Sequence, residues 1–521
     1  MSPMQPKRVA IVGGGCAGVT AFWALQKSPH DVHLFEASAT LGGRIKTIPF
    51  EYEGNTVAVN TVPPVFNATA SPSLVSLLRC LGISTSTAEF SFGATDGVGA
   101  DQWTGSILGD IMRRPWLLRK LETWRMLLDI ARLRYTYLDL LADGHQRSEG
   151  HAQHEPVMRQ HFSSEEYSNS FYTKYLPSML SALWGINAGK IIDLLPVKAF
   201  VRCLLDHSIL CPRPNRPKWQ RINDGARQLV VVMARGFPSH RIHVKTRVTG
   251  ISQSTKERFV LMTSDGQKAH FDHLIFAISA REIQHIWGKI PTTEETEILQ
   301  KLRTARRIMV LHSDSPFTTN FDQSWPASSF IVTYWDRHNR NLPKDPPDNI
   351  TPRTCLTCVM NDEQNLPMQL FGPVLITLDP FAPPHPLLVA GVWELTDLEI
   401  STDTLQALNS LPAIQNKRGL SFCLSWTGRG FLEDAITSGL TVAVEHLGAK
   451  VPFAIEHHPD LLDATELPQL HWSLADHVIR TLLSLLRVYI LVIEISLILL
   501  GALRGSLKNK LCLPRKRRTI C

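Results

Sequence analysis

At 521 residues, with 44% apolar and 19% charged side chains, the chain has room for about two to four domains and is too apolar to be disordered. Its formal charge of +7 points to acidic partners until it is located: seven of the 54 Lys and Arg stand between Arg504 and Arg518 with no acidic residue, and the other 47 match the 47 Asp and Glu. The body is therefore neutral, which excludes a nucleic-acid-binding body. Nine cysteines and no signal peptide favour a reducing compartment. Cys355 and Cys358 form a lone C-x-x-C in an apolar run and read as buried strand residues, so no metal site is expected.

In chain order, Lys7 to Val12 is a short run with β-branched residues, as a buried parallel strand requires. It leads into Gly13-Gly-Gly15-Cys16-Ala17-Gly18 and then an apolar helical stretch, Val19 to Leu25. Gly13 permits the tight turn, Gly15 lets backbone approach a pyrophosphate, and Gly18 allows close helix–strand packing. The free N–H groups and dipole at the helix start, around Cys16 and Ala17, then hold the phosphates. A second strand, Asp31 to Phe35, ends at Glu36, 18 residues after Gly18. That carboxylate is placed to accept the hydroxyls of an adenosine ribose and to repel a 2′-phosphate.

FAD and NAD sites share this pattern. Leu41-Gly42-Gly43-Arg44 follows at short range, and its glycines would let a second loop reach the pyrophosphate while Arg44 pairs with it through a planar fork. The Glu36-then-Gly-Gly-Arg44 arrangement resembles the flavin amine oxidase superfamily, which includes amine oxidases, phytoene desaturase-like enzymes and protoporphyrinogen oxidase. The resemblance selects FAD.

In that superfamily the FAD domain is discontinuous, and two later stretches resemble its other pieces. Ile222 to Leu229, containing Gly225-Ala226-Arg227, reads as a helix start, Val244 to Val248 as a strand, and Phe271 to Ser279 as a strand ending in small residues. The resemblance implies that the Val248 backbone touches the adenine side, and that Ala277 and Ser279 lie where a strand end meets the cofactor. Gly428-Arg-Gly430-Phe431-Leu-Glu433-Asp434-Ala435, followed by Ser438-Gly439, looks like the closing motif. It reads as a helix start whose amides, at Glu433, Asp434 and Ala435, hold the polar edge of the isoalloxazine or the pyrophosphate, with Val442 to Leu447 continuing the helix. Trp426 and Phe431 are candidate aromatic walls beside the flavin, with core packing equally open, and Tyr334 is a candidate pocket residue. Cys423, eight residues before Phe431, reads as core, so the flavin is expected to be non-covalent.

More narrowly, the chain from about residue 7 to about 450 resembles a family of NAD/FAD-binding proteins allied to amine oxidases, also found attached to plant cyclopropane fatty-acid synthases. Thr123 to Ile130, Ala182-Leu-Trp184-Gly185, Val332-Thr-Tyr334-Trp335 and Gly430 to Asp434 carry that likeness. One departure stands out. Asn60-Thr61-Val62 replaces the family's Asp-Thr-Gly, whose glycine lets backbone approach the flavin, so Val62 is expected to crowd that contact.

The fold expected is α/β. A Rossmann-like FAD-binding domain comprises 1–65, 222–285 and 416–450, and a mixed α+β substrate domain comprises 66–221 and 286–415. Within the latter, Trp116 to Leu141 has helical periodicity with Arg119, Lys120, Arg125, Arg132 and Arg134 on polar positions, and Arg337 to Asn349 reads as a surface loop. A linker at 451–480 leads to Thr481–Leu503, 23 mostly apolar residues interrupted by Arg487 and Glu494. A membrane span, an interfacial helix and a buried soluble helix all fit this stretch, and the basic tail at 504–521 favours contact with anionic membrane lipid. The protein is expected at a membrane, with its catalytic domain cytosolic.

The implied function is that of an FAD-dependent oxidoreductase of oxidase or desaturase type. Hydride would pass from a C–H of an amine, or of a lipid-like or secondary-metabolite substrate, to flavin N5, with O2 or another acceptor completing the cycle. The cofactor carries the hard step, and no catalytic residue is assigned. The alternative is a non-catalytic flavoprotein, a membrane-associated partner of another biosynthetic enzyme, which Asn60-Thr61-Val62 favours. An NAD-dependent dehydrogenase is disfavoured by Gly43-Arg44 and Glu433.

Overall fold

The computed structural model describes residues 5–62, 65–88, 90–95, 102–104, 112, 115–147, 157–165, 167–168, 170–185, 192–207, 209, 219–253, 259–288, 290–314, 330–334, 354–427, 430–457 and 473–511. Five parallel strands form one sheet, ordered Ile242–His243, Asp31–Phe35, Arg8–Val12, His273–Phe276 and Leu420–Phe422. Parallel neighbours need crossovers, so three distant stretches of chain meet in one sheet. Val9, Ala10 and Ile11 are fully buried, as strands covered on both faces must be.

The helix Cys16–Leu25 crosses back over this sheet and is buried along nearly its whole length. The helix Leu432–Thr441 packs against it, in the same apolar cluster as Val9, Ile11 and Ile275 of the sheet. A Cβ at Gly439 would stand 2.5 Å from Ala17 O, so glycine there sets how closely the two helices approach. After Thr441 the helix widens into a π turn, Val442–His446.

The expected strand at Val244–Val248 is a turn instead. Lys245 adopts φ +53°, and the amides of Lys245 and Thr246 donate to Ser38 O (2.8 Å) and Glu36 O (2.9 Å). The chain leaves the parallel sheet here and begins an antiparallel one, Val248–Gln253, Phe259–Thr263 and Lys268–Phe271.

A larger sheet of seven strands runs Val389–Leu398, Thr304–His312, Leu375–Leu378, Thr354–Val359, Phe330–Tyr334, Phe92–Thr95 and Gln102–Thr104. One face packs against the helices Leu176–Trp184 and Val197–Asp206, forming an apolar cluster around Phe162, Phe171 and Phe200. Cys355 and Cys358 lie in this sheet, and at a separation of three residues they point to opposite faces of one strand. Both are buried, and burial pushes the Cys355 thiol up to about 12. Among the described residues no group of three or more His, Cys, Asp or Glu is arranged to hold a metal.

The helical periodicity from Trp116 resolves into a 3-10 turn, Pro115–Arg119, and a long helix, Leu121–Arg147. The loop expected at Arg337–Asn349 lies outside the described residues, as do Gly428, Arg429 and 512–521. The C-terminal run belongs to a helix, Leu474–Leu511. Among the described residues no helix is long and apolar enough to cross a membrane, so the expected span at 481–503 is not carried by them. Arg487, which interrupts the apolar run, is committed to the body. Its Nη2 donates to Glu165 O (3.0 Å) and its Nη1 to Glu165 Oε2 (3.5 Å). The side chain of Glu494 lies outside the described residues.

Candidate cofactor and substrate site

The glycine loop sits at the carboxyl end of Arg8–Val12, where ligands of open α/β sheets bind. Gly13 has φ +109° and donates its N–H to Phe35 O (2.8 Å); a Cβ there would strike Ala277 O. A Cβ at Gly18 would strike Gly13 O, so glycine at 18 lets the helix fold against the loop. Gly15 differs from both: a Cβ there would meet nothing within 4 Å. It opens the helix as its N-cap, and Val19 N donates to Gly15 O (2.9 Å). The amides of Cys16, Ala17 and Gly18 therefore have no partner in their own helix. The side chains of Cys16 and Ala17 are buried, and burial pushes the Cys16 thiol up to about 12, so these residues offer backbone N–H and not side chains.

The second glycine pair packs on the first. Gly42 N donates to Gly14 O (2.7 Å), and a Cβ at Gly43 would lie 3.0 Å from Gly15 Cα. Arg227 shapes this second loop by donating from one guanidinium nitrogen to Leu41 O and to Ile45 O (3.1 Å). Sequence reading took Arg227 only as part of a helix start; its Gly225-Ala226-Arg227 setting was the one available signal.

Glu36 stands at the end of Asp31–Phe35 as expected, and its carboxylate accepts from Gly14 N (2.7 Å) and Ser38 N (2.7 Å). The Arg44 guanidinium binds Asp397 Oδ1 and Thr396 O on the strand Val389–Leu398. Val248 is buried at the start of its strand. Ala277 is buried, and Ser279 caps the helix Ala280–Ile286 through a reciprocal bond with Glu282.

The closing motif forms the predicted helix start, and its carboxylates are taken up by the protein's own amides. Glu433 is buried and accepts from Ser73 N (2.9 Å) and Leu74 N (2.7 Å), at the start of the helix Pro72–Leu81. It is a capping residue supplied from another helix. Burial raises its carboxyl to about 7, against the pull of those two amides. Asp434 accepts from Phe431 N (2.8 Å), and Ala435 N donates to Phe431 O (3.3 Å) while its side chain packs in the core. The amides left at this helix start are those of Leu432 and Glu433.

The two aromatic candidates separate. Trp426 is 4% exposed, lies in the apolar cluster around Phe276 and Phe422, and spends its indole N–H on Ile278 O (2.9 Å), so it is core. Phe431 is half-buried and belongs to an aromatic group that sequence reading did not assemble. It stacks on Trp184 with centroids 6.0 Å apart at 14°, and meets His207 at 4.8 Å. His207 in turn lies 6.3 Å from Trp219, which stacks on Phe90 at 4.6 Å. Only long-range folding joins these residues; Ala182-Leu-Trp184-Gly185 had marked one of them. Tyr334 pairs with Thr354 through its backbone, and its side chain lies outside the described residues.

Asn60 also has a physical role. A Cβ at Gly225, which has φ +80°, would strike its side-chain amide, and Gln364 bonds its backbone from both ends, accepting from Asn60 N (3.2 Å) and donating to Asn60 O (3.0 Å). Val62 is half-buried and packs on the core beside the helix Cys16–Leu25.

The open space at Gly15, the helix-start amides at 16–18, Glu36, and the second helix start at 432–433 fit a flavin dinucleotide. Comparison with known proteins agrees. The profile described as flavin-containing amine oxidoreductase matches residues 16–338. L-amino-acid oxidases of Cerastes cerastes and Demansia vestigiata are each 49% identical over 50 residues, a match spanning 10% of this chain and only 10% of the relative. A redesigned putrescine oxidase superposes with TM-score 0.52 at 14% identity, covering 85% of this chain and 99% of its own. A CLA-producing fatty acid isomerase from P. acnes superposes with TM-score 0.52 at 13% identity, covering 84% and 98%. At such identities the likeness is one of fold.

Proposed function

The chain belongs to the flavin-containing amine oxidoreductase family, and from that premise we propose that it is an FAD-dependent oxidoreductase of oxidase or desaturase type. Its substrate is an amine or a lipid-like molecule that loses hydride from a C–H bond, with O2 or a similar acceptor closing the cycle. Bound FAD supplies the hydride acceptor. The chain's own residues bind, orient and exclude water. The amides of 16–18 would hold the pyrophosphate, Glu36 would receive the ribose hydroxyls, and the amides of Leu432 and Glu433 would hold the polar edge of the ring system. The observation that carries the reading is the aromatic group of Phe431, Trp184, His207 and Trp219 beside that second helix start. Such walls bury an apolar chain, or an alkyl amine by its carbon skeleton, and keep water from the reacting C–H.

A second reading, FAD without turnover, is favoured by Val62 standing where the family carries glycine. One experiment separates the two. Under anaerobic conditions a panel of primary and secondary amines and unsaturated fatty acids is added, and flavin absorbance is followed. At least one compound should bleach the flavin, and air should restore it. If none does, and photoreduced protein reoxidises at a rate no compound changes, the catalytic reading falls.

We further infer that the protein associates with a membrane through its C-terminal helix. The support is the row of exposed apolar residues on that helix and the basic cluster from Arg504 to Arg518.

A further inference from the structure

The helix Leu474–Leu511 has a fixed beginning. Ser473 and Asp476 cap each other, Ser473 N donating to Asp476 Oδ2 (2.9 Å) and Asp476 N to Ser473 Oγ (3.2 Å). From there the helix lies against Leu121–Arg147. Its inward stripe is Ile479, Leu483, Arg487 and Ile490, all half-buried at a spacing of three or four residues. Arg487 is the bolt in this contact. It shares Glu165 with Arg132, whose Nη1 donates to Glu165 O (2.8 Å) and whose Nη2 donates to Glu165 Oε2 (2.6 Å). Arg132 also lies 4.4 Å from the centre of the Tyr167 ring.

The opposite stripe is Leu474, Val478, Leu482, Leu485, Tyr489 and Val492, each at least 56% exposed. Their spacing of four, four, three, four and three residues puts all six on one face. From 474 to 492 that face runs about 28 Å along the protein surface. A helix that crossed a bilayer would have to leave the body and offer lipid every face. This one gives one face to protein over that length and keeps the other apolar and free.

The segment this helix lies against carries related chemistry. Trp116 and Trp124, just before and within Leu121–Arg147, are 56% and 51% exposed, and Arg119 and Lys120 between them are exposed as well. Exposed tryptophans suit the headgroup level of a bilayer, and basic residues suit anionic lipid. From the last turns of the helix onward, 504–518 adds seven basic residues and no acid, whereas the rest of the chain is neutral.

We propose that the Leu474–Leu511 helix, bolted to the body by Arg487 and Glu165, lies in the plane of an anionic phospholipid surface with the stripe from Leu474 to Val492 inserted between headgroups. This rests on the membrane association proposed above and specifies its mode and its lipid. The test uses full-length protein with vesicles of phosphatidylcholine alone and vesicles containing phosphatidylserine. Co-sedimentation should be about tenfold or more tighter with the anionic vesicles and should weaken with salt. Alkaline carbonate should release the bound protein. Combined Leu482→Ser, Leu485→Ser and Tyr489→Ser substitutions should lower vesicle affinity at least tenfold while flavin content stays unchanged, which separates lost docking from lost folding. Bound protein that resists carbonate overturns the in-plane mode but leaves membrane association standing. Protein that ignores both vesicles overturns the two together, and a stable detergent-free dimer in that case assigns the face to a second copy.

Discussion

A side chain at position 15 would point into the open space the glycine loop leaves at its helix start. Gly15→Val should therefore fold and yet lose its cofactor, since a β-branched group would stand where backbone must approach phosphate. The check is the ratio of flavin to protein absorbance after purification, and a folded variant that keeps stoichiometric flavin contradicts the assignment. Glu433 acts by a different route. Glu433→Ala leaves Ser73 N and Leu74 N without their acceptor and should cost about 1–3 kcal/mol, read from urea unfolding. An unchanged midpoint would remove it from its capping role. The sequence places this residue in the closing motif and offers its backbone amide to the cofactor, but does not reveal what its carboxylate binds. The acceptor geometry depends on a helix start 360 residues away, which no local spacing reveals.

Among elements, the parallel sheet is joined to the closing helix by a buried polar chain. His273 Nε2 bonds Ser421 Oγ (2.8 Å), and Ser421 Oγ bonds His446 Nδ1 (2.8 Å), linking two strands to the π turn. His273 is fully buried, and burial, with nearby Lys7, His446 and His30, depresses its pKa to about 3. The unfolded chain then binds the proton that the fold refuses. Stability is full above about pH 6.5 and falls as pH drops from there toward 3, by on the order of 5 kcal/mol. His273→Asn should flatten that slope in urea midpoints measured from pH 7 to 4. A slope identical to the parent's would place the acid sensitivity elsewhere. Local signals served well for the elements that repeat a period or a turn rule: the first strand, the glycine loop, Asp31–Phe35 and the start of the closing helix. They failed at Val244–Val248, where a short alternating stretch with β-branched residues is overridden by the passage between two sheets.

At the scale of the whole molecule, the class of fold was legible because the phosphate loop imposes a rigid order of residue types on a short stretch. The larger sheet was not legible in detail. Its strands pair across distant segments, and the aromatic group around Phe431 draws on residues 90, 184, 207 and 219. Arg44 is legible as part of the Gly-Gly-Arg motif, whereas its contact with Asp397 and Thr396 depends on a strand far along the chain. Cys423 is buried in the core, and burial pushes its thiol up to about 12, which disfavours the thiolate a covalent link would need. The most direct test of the account is therefore made on purified full-length protein. It is precipitated with acid, and the flavin in supernatant and pellet is identified by mass and counted against protein. One FAD per chain, all of it in the supernatant, is the predicted result, and a folded but colourless protein that takes up no added FAD would contradict it.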